Sequence, residues 1–305
     1  MQNATDLTNT LATQTNMTTP TPSAQSATEP TWHRTVLLVV VVILTALIAV
    51  FASRFSVSPR GATSPALLAA TQPVLAIAAV LSAMIVAMVL TLVLAKPINA
   101  VVALFALGCA FAAYAMQSGT IRDFVFLGAN MKLAAVETIM WSVFIAFAAM
   151  ITFRVGGPLV DVPAHDRDGT FTGELFHKRA LVSLLAGLAA IPVLIFIMVG
   201  ASKGQAIGAS AIAGVITAVV GRMIAPRAQP ILLFAMPAFA IGAAQLALAF
   251  ISPMSPDIAF VNATLSPIQV PMPMDIAAGS LIGVAIGLGW TKGLVKHEPS
   301  SMHDE

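Results

Sequence analysis

The sequence predicts an all-α integral membrane protein with about eight transmembrane helices. Of the 305 residues, 58% are hydrophobic and only 9% are charged, and the mean hydropathy is +0.92. The charged residues fall mainly between apolar runs of about twenty residues, the helix length that crosses a hydrocarbon core of about 30 Å. A chain of this composition is too apolar for a soluble globule, so lipid is the expected solvent of most side chains.

Eight apolar runs account for the predicted spans, and each is bounded by charge, proline or glycine. They cover residues 35–53, 73–95, 98–116, 133–153, 180–200, 206–225, 231–251 and 275–291. Only Lys96 and Pro97 separate the second run from the third, and a short turn around Pro226 and Pro230 separates the sixth from the seventh. Both pairs are expected to form antiparallel helical hairpins.

The predicted organisation has five segments. Residues 1–31 are rich in Thr, Ser, Asn, Gln and Pro and are expected to form a disordered N-terminal tail. The first four-helix half covers 32–154, a cytoplasmic linker loop covers 155–175, and the second four-helix half covers 176–292. Residues 293–305 form a short polar C-terminal tail.

The distribution of basic residues predicts the orientation. Ten of the fifteen Lys and Arg residues fall on the side of the N-terminus: Arg34, Lys96, Arg154, Arg167, Lys178, Arg179, Arg222, Arg227, Lys292 and Lys296. The opposite side carries the other five: Arg54, Arg60, Arg122, Lys132 and Lys203. Because cytoplasmic loops are enriched in basic residues, both termini are expected in the cytoplasm and the protein in the cell (inner) membrane.

The two halves show a weak internal repeat. Glu137 precedes Arg154 by seventeen residues, and Asp275 precedes Lys292 by the same interval, so a shift of 138 superposes both pairs. Four spans per copy would make both copies enter the membrane from the same side, which predicts a parallel duplication about a pseudo-twofold axis. The alternative is that two unrelated bundles with basic inner ends resemble each other.

The candidate solute or proton site consists of Glu137, Asp275, Lys132, Asn130 and Gln245. An ionisable side chain at the bilayer centre costs about 2.5–3.5 kcal/mol on insertion scales, so such residues are functional candidates. The hypothesis places the two carboxylates beside an outward-facing cavity for a cation, a proton or a small polar solute. The alternative is structural: a carboxylate stabilises the start of a helix, and an amide such as Gln245 hydrogen-bonds between helices.

Small residues predict close packing of helices. Gly279, Gly283 and Gly287 recur every four residues on one face of the last span, and Gly200, Gly204 and Gly208 recur across the entry to the sixth. Pro192 and Pro237 are expected to kink the fifth and seventh spans, because proline removes a backbone hydrogen bond.

The sequence lacks the residues that several functional classes require. A single cysteine, Cys109, allows no intramolecular disulfide, and the five histidines are too scattered for a metal site. The sequence has no phosphate-binding glycine loop, no zinc-protease motif and no serine nucleophile motif, so no catalytic residue and no cofactor is predicted. No basic block is present that would bind nucleic acid.

The expected function is therefore transport or sensing of a small solute or ion. The alternative is a non-catalytic structural or assembly subunit of a membrane protein complex, and a membrane-embedded lipid-modifying enzyme is a third hypothesis. The expected partners are membrane lipids, together with other membrane subunits or further copies of the chain.

Overall fold

The computed structural model describes residues 31–128, 130–159, 178–226, 228–252 and 254–291. Within these ranges the regular structure is helical, apart from one isolated antiparallel bridge between Val57 and Thr63. The predicted tails lie almost entirely outside the described residues, as does most of the predicted linker loop.

Within the described residues, six helices are long and apolar enough to cross a membrane, which is consistent with a helical membrane protein. They are α1 (Thr31–Ser53), α2 (Pro73–Ala95), α3 (Ala100–Gln117), α5 (Met131–Gly156), α8 (Lys203–Ile224) and α11 (Pro273–Thr291). The shorter helices are α4 (Ile121–Phe126), α6 (Lys178–Ser183), α7 (Ala190–Ile197), α9 (Met236–Ile251) and α10 (Pro256–Val261). Four 3-10 helices cover Leu67–Ala69, Leu184–Ala189, Leu232–Phe234 and Pro267–Gln269.

The predicted fifth and seventh spans form shorter apolar helices, over Leu181–Ile197 and Met236–Ile251. Proline explains both departures. Pro192 is the third residue of α7, and the tighter 3-10 helix Leu184–Ala189 precedes it, as expected where the proline ring would clash with the carbonyl four residues earlier. Pro237 lies in the first turn of α9, where no helical N–H is needed, and the 3-10 helix Leu232–Phe234 precedes it, so the predicted seventh span changes helix type next to this proline.

Helix α11 lies at the centre of the bundle and packs against α3, α5, α8 and α9. Its contact with α8 depends on glycine. A Cβ atom on Gly279, Gly283 or Gly287 would overlap with atoms of α8, among them the Ser210 side chain and the Ala211 backbone. The two helices therefore approach each other at backbone distance, as small residues permit in membranes.

The other predicted glycine series has a different environment. A Cβ on Gly204 or Gly208 would meet no atom within 4 Å, so these two glycines do not mediate close packing among the described residues. Gly108 of α3 contributes instead, because a Cβ there would press against Leu281 and Ile282 of α11.

The contacts between the two halves are reciprocal. Helix α3 packs against α11, and α5 packs against α9; α5 also contacts α11, and the short helices α4 and α10 contact each other. The N-terminal and C-terminal parts of the chain thus meet mainly through the pairs α3 with α11 and α5 with α9.

We expect Gly283→Ala to lower the thermal stability of the protein in mild detergent. The added methyl group would overlap with the backbone of Ala211, and overpacking of this kind typically costs about 1–3 kcal/mol. Gly208→Ala is the matched control, because it adds a methyl group into open space and should be neutral or stabilising. Equal unfolding temperatures for Gly283→Ala and the wild type would contradict the backbone contact.

Candidate functional site

The candidate residues lie at one end of the bundle, which we call the loop face; it is formed by residues 54–72, 118–128 and 254–272. Glu137 and Asp275 both lie close to this face, and their side chains are 0% and 1% exposed. Each carboxylate therefore needs partners within the protein.

Glu137 binds the backbone of the first connecting loop. The Leu68 N–H donates to its Oε2 at 3.1 Å, the Leu67 N–H also donates to the carboxylate, and the Trp141 indole donates to Oε1 at 3.4 Å. The first N–H groups of a helix have no partner within that helix, and a negative charge there is favourable. Glu137 thus fixes the 3-10 helix Leu67–Ala69 of the connecting loop onto α5.

A second polar contact holds the same loop. The hydroxyl groups of Ser56 and Tyr114 are 2.6 Å apart, and both side chains are buried. Residues 54–72 are therefore anchored to α3 as well as to α5.

Asp275 forms a buried ion pair with Lys203. The Lys203 Nζ lies 2.9 Å from Oδ1 and 3.2 Å from Oδ2, and the Met272 N–H donates to Oδ2 at 3.0 Å. The same ammonium group donates to the Gly119 carbonyl at 2.8 Å. Lys203 therefore links α8, α11 and the connection that follows α3.

The two carboxylates, although related by the sequence shift of 138, have different partners. Glu137 accepts backbone and indole hydrogen bonds, whereas Asp275 pairs with an ammonium group and binds the backbone at the start of α11. Neither residue lines the cavity or the smaller void described below.

Asn130 and Lys132 mark the start of α5 and do not contact Glu137. Asn130 caps the helix, since its Oδ1 accepts from the Lys132 N–H at 2.9 Å. The Lys132 ammonium lies 4.0 Å from the centre of the Phe250 ring, within the range of a cation–π interaction.

Gln245 connects three segments. Its Nε2 donates to the carbonyls of Ile268 and Pro271 at 2.9 and 3.1 Å, and its Oε1 accepts from Thr138 at 3.2 Å. Both ends of this buried amide are used, so Gln245 joins α9 to α5 and to the segment that leads into α11.

A cavity of about 230 Å³ opens at the loop face between the two halves. It is lined by Gly128, Asn130, Met131, Ala249, Ser252, Met254, Pro256, Ala259, Leu265 and Gln269. A smaller void of about 10 Å³ is lined by Met131, Ala134, Gln245, Gln269 and Met272. Met131 and Gln269 border both spaces, so the cavity and the void are neighbours.

Gln269 is the polar group at this boundary. The residue is 7% exposed and lines both spaces, and its amide has no hydrogen bond to the residues that the structure describes and is reached by water instead. The amide of Gln269 is therefore available from the cavity to a hydrogen-bonding ligand.

Sequence reasoning missed Lys203 and Gln269, although each had a signal. Lys203 is the first residue of α8, where the helix dipole disfavours a cation, so an acidic partner could have been expected. Gln269 is the only polar side chain between Pro267 and Met274, in a segment that otherwise contains proline, methionine and aliphatic residues.

The charge next to the cavity lies in water. Asp257, in the first turn of α10, is exposed, and the Ser255 hydroxyl donates to it and lowers the pKa of that carboxyl. Among the residues that the structure describes, no group of three or more His, Cys, Asp or Glu side chains could hold a metal ion.

Comparisons with protein families, with curated proteins and with solved structures find no match for this chain.

We expect Lys203→Met to lower the unfolding temperature in mild detergent more than Lys203→Met combined with Asp275→Asn. Removal of the ammonium alone leaves a buried carboxylate without its charge partner, a change that typically costs about 3–5 kcal/mol. The double variant buries no unpaired charge. A double-mutant cycle monitored by thermal unfolding measures this coupling, and a Lys203→Met protein as stable as the wild type would contradict it.

Proposed function

We propose that this protein binds a small polar solute at the loop-face cavity and either moves that solute through the membrane or senses it. The observation that carries the proposal is the side chain of Gln269, which is 7% exposed, lines a cavity of about 230 Å³ and leaves its amide accessible from it. Ligand sites are typically mostly apolar clefts with a few placed polar groups. This cavity has that composition, with Asn130, Ser252 and Gln269 among apolar residues.

The position of the cavity supports the same proposal. Its lining residues come from both halves of the chain, and membrane transporters built from repeats bind their substrates between the repeats. Ala134, about one helical turn beyond Met131 in α5, lines the smaller void together with Gln245. A solute that passes Gln269 would therefore reach the amide of Gln245.

The proposal includes eight membrane crossings and a parallel duplication. Each half contains, in order, two helical segments, a third helix, a short helix at the loop face and a final helix. The reciprocal packing of α3 with α11 and of α5 with α9 is the pattern expected around a pseudo-twofold axis. Helices α7 and α9, with their adjoining 3-10 helices, would form the two further crossings.

In the proposed orientation the loop face lies on the outer side of the cell (inner) membrane, and both termini lie in the cytoplasm. The ten-to-five distribution of Lys and Arg supports it.

Thiol labelling tests the cavity. In a Cys109→Ala background, Gln269→Cys should react with a membrane-impermeant thiol reagent because water reaches this position through the cavity. Ser280→Cys is the matched control and should stay unmodified, since Ser280 is fully buried within α11. Labelling of Gln269→Cys in intact cells would support the proposed orientation, and labelling only in inverted vesicles would indicate the opposite orientation. A Gln269→Cys protein that reacts in neither preparation would refute the proposed site.

The second candidate function is a structural subunit of a membrane complex. The observation that favours it is that Glu137 and Asp275 are both engaged inside the protein, as in a bundle that serves to pack. In this case the partners would be other subunits or further copies of the chain.

Purification in mild detergent separates the two candidates. A solute-binding protein should be isolated as a monomer or a homo-oligomer, with or without bound lipid. The mass of the purified particle should then contain no second protein. Stoichiometric co-purification of another membrane protein would favour the subunit and contradict the self-contained solute site.

A further inference from the structure

We infer that the loop-face cavity selects uncharged solutes that carry both a hydrogen-bond acceptor and a donor, the chemistry of a carboxamide or a urea, and that Gln269 is the specificity-determining contact. This inference rests on the proposed function and names the chemical class of its solute.

The contrast between two buried glutamines identifies the contact. Gln245 uses both ends of its amide, with carbonyl partners at 2.9 and 3.1 Å and the Thr138 hydroxyl at 3.2 Å. Gln269 is buried to a similar degree, yet no described residue hydrogen-bonds to its side chain, and it lines both neighbouring spaces. A group that donates and accepts side by side is satisfied by a ligand that does the same.

The other polar groups of the cavity complement this contact. The Asn130 Oδ1 is occupied by the Lys132 N–H, so the Nδ2 remains as a donor toward a ligand. The Ser252 hydroxyl donates to the Met254 carbonyl at 3.4 Å, so its oxygen is left as an acceptor. The cavity therefore offers neutral donors and acceptors.

The lining excludes charged ligands. None of the ten residues that line the cavity is charged. The nearest charges along the chain are engaged elsewhere: the Lys132 ammonium lies over the Phe250 ring, and the Asp257 carboxylate accepts from Ser255. A bound ion would lose its hydration shell without gaining an opposite charge, whereas a neutral amide would exchange water for the Gln269 amide.

Protection from thiol labelling tests the inference with three small probes that differ in charge: acetamide, acetate and methylammonium. Ser252→Cys in the Cys109→Ala background reports occupancy, because Ser252 lines the cavity and is exposed. We expect acetamide alone to slow the reaction of this cysteine, and we expect Gln269→Leu to abolish that protection. Asn262→Ala, which removes an exposed amide in the same connecting segment, is the control and should keep it.

The conservative variant keeps the test decisive if Gln269→Leu does not fold. Gln269→Glu keeps the size of the side chain and should transfer protection from acetamide to methylammonium. Equal protection by acetate or methylammonium in the wild type, or protection that persists in a folded Gln269→Leu protein, would overturn the inference. A reactive Ser252→Cys that no probe protects would overturn the solute class and leave the accessible cavity in place, whereas an inert Gln269→Cys refutes the proposed function itself.

Discussion

The ion pair between Lys203 and Asp275 is the interaction on which the loop face depends. A single ammonium group, 2.9 Å from the carboxylate and 2.8 Å from the Gly119 carbonyl, joins α8, α11 and the connection after α3. Lipid cannot solvate either charge, so the pair persists only while these three segments stay together. The ion pair lies at the start of α11, where the Met272 N–H also donates to Asp275. The glycine contacts between α11 and α8 follow further along the helix.

The same constraint organises the other polar groups at this face. Glu137 binds the first connecting loop through backbone N–H groups, and Gln245 binds the segment before α11 through two carbonyls. Both residues hold irregular backbone against helices, where its N–H and C=O groups would otherwise lack partners. Gln269 differs from these residues, since its amide binds no backbone group of the described residues and borders a cavity. The two carboxylates thus hold the connecting segments in place, and we propose that the neutral amide contacts a solute.

The sequence predicted the helical membrane class because apolar runs of about twenty residues depend only on local composition. It also predicted that Gly279, Gly283 and Gly287 share a helix face, since that follows from helical periodicity. The neighbour of that face could not be predicted, because spacing along one helix carries no information about which helix lies opposite. Gly204 and Gly208 illustrate this limit, because they have the same four-residue spacing but a Cβ atom on either would meet no atom within 4 Å.

The candidate site was predictable only in part for a similar reason. Asn130 and Gln245 were identified from the sequence, and they line the larger cavity and the smaller void respectively. Sequence proximity does not fix side-chain direction, so the sequence could not show that Lys132 lies over Phe250 while Glu137 binds the first connecting loop. The pairing of Lys203 with Asp275 spans 72 residues and depends on tertiary packing.

The most direct test of this account is a dipolar distance measurement between Lys and Asp side chains in lipid bilayers. Protein labelled with ¹⁵N at lysine Nζ and ¹³C at aspartate Cγ would be examined by solid-state nuclear magnetic resonance. The account predicts a short-range nitrogen–carbon contact that disappears in Asp275→Asn. The absence of any such contact in the wild-type protein would show that Lys203 does not hold the loop face together.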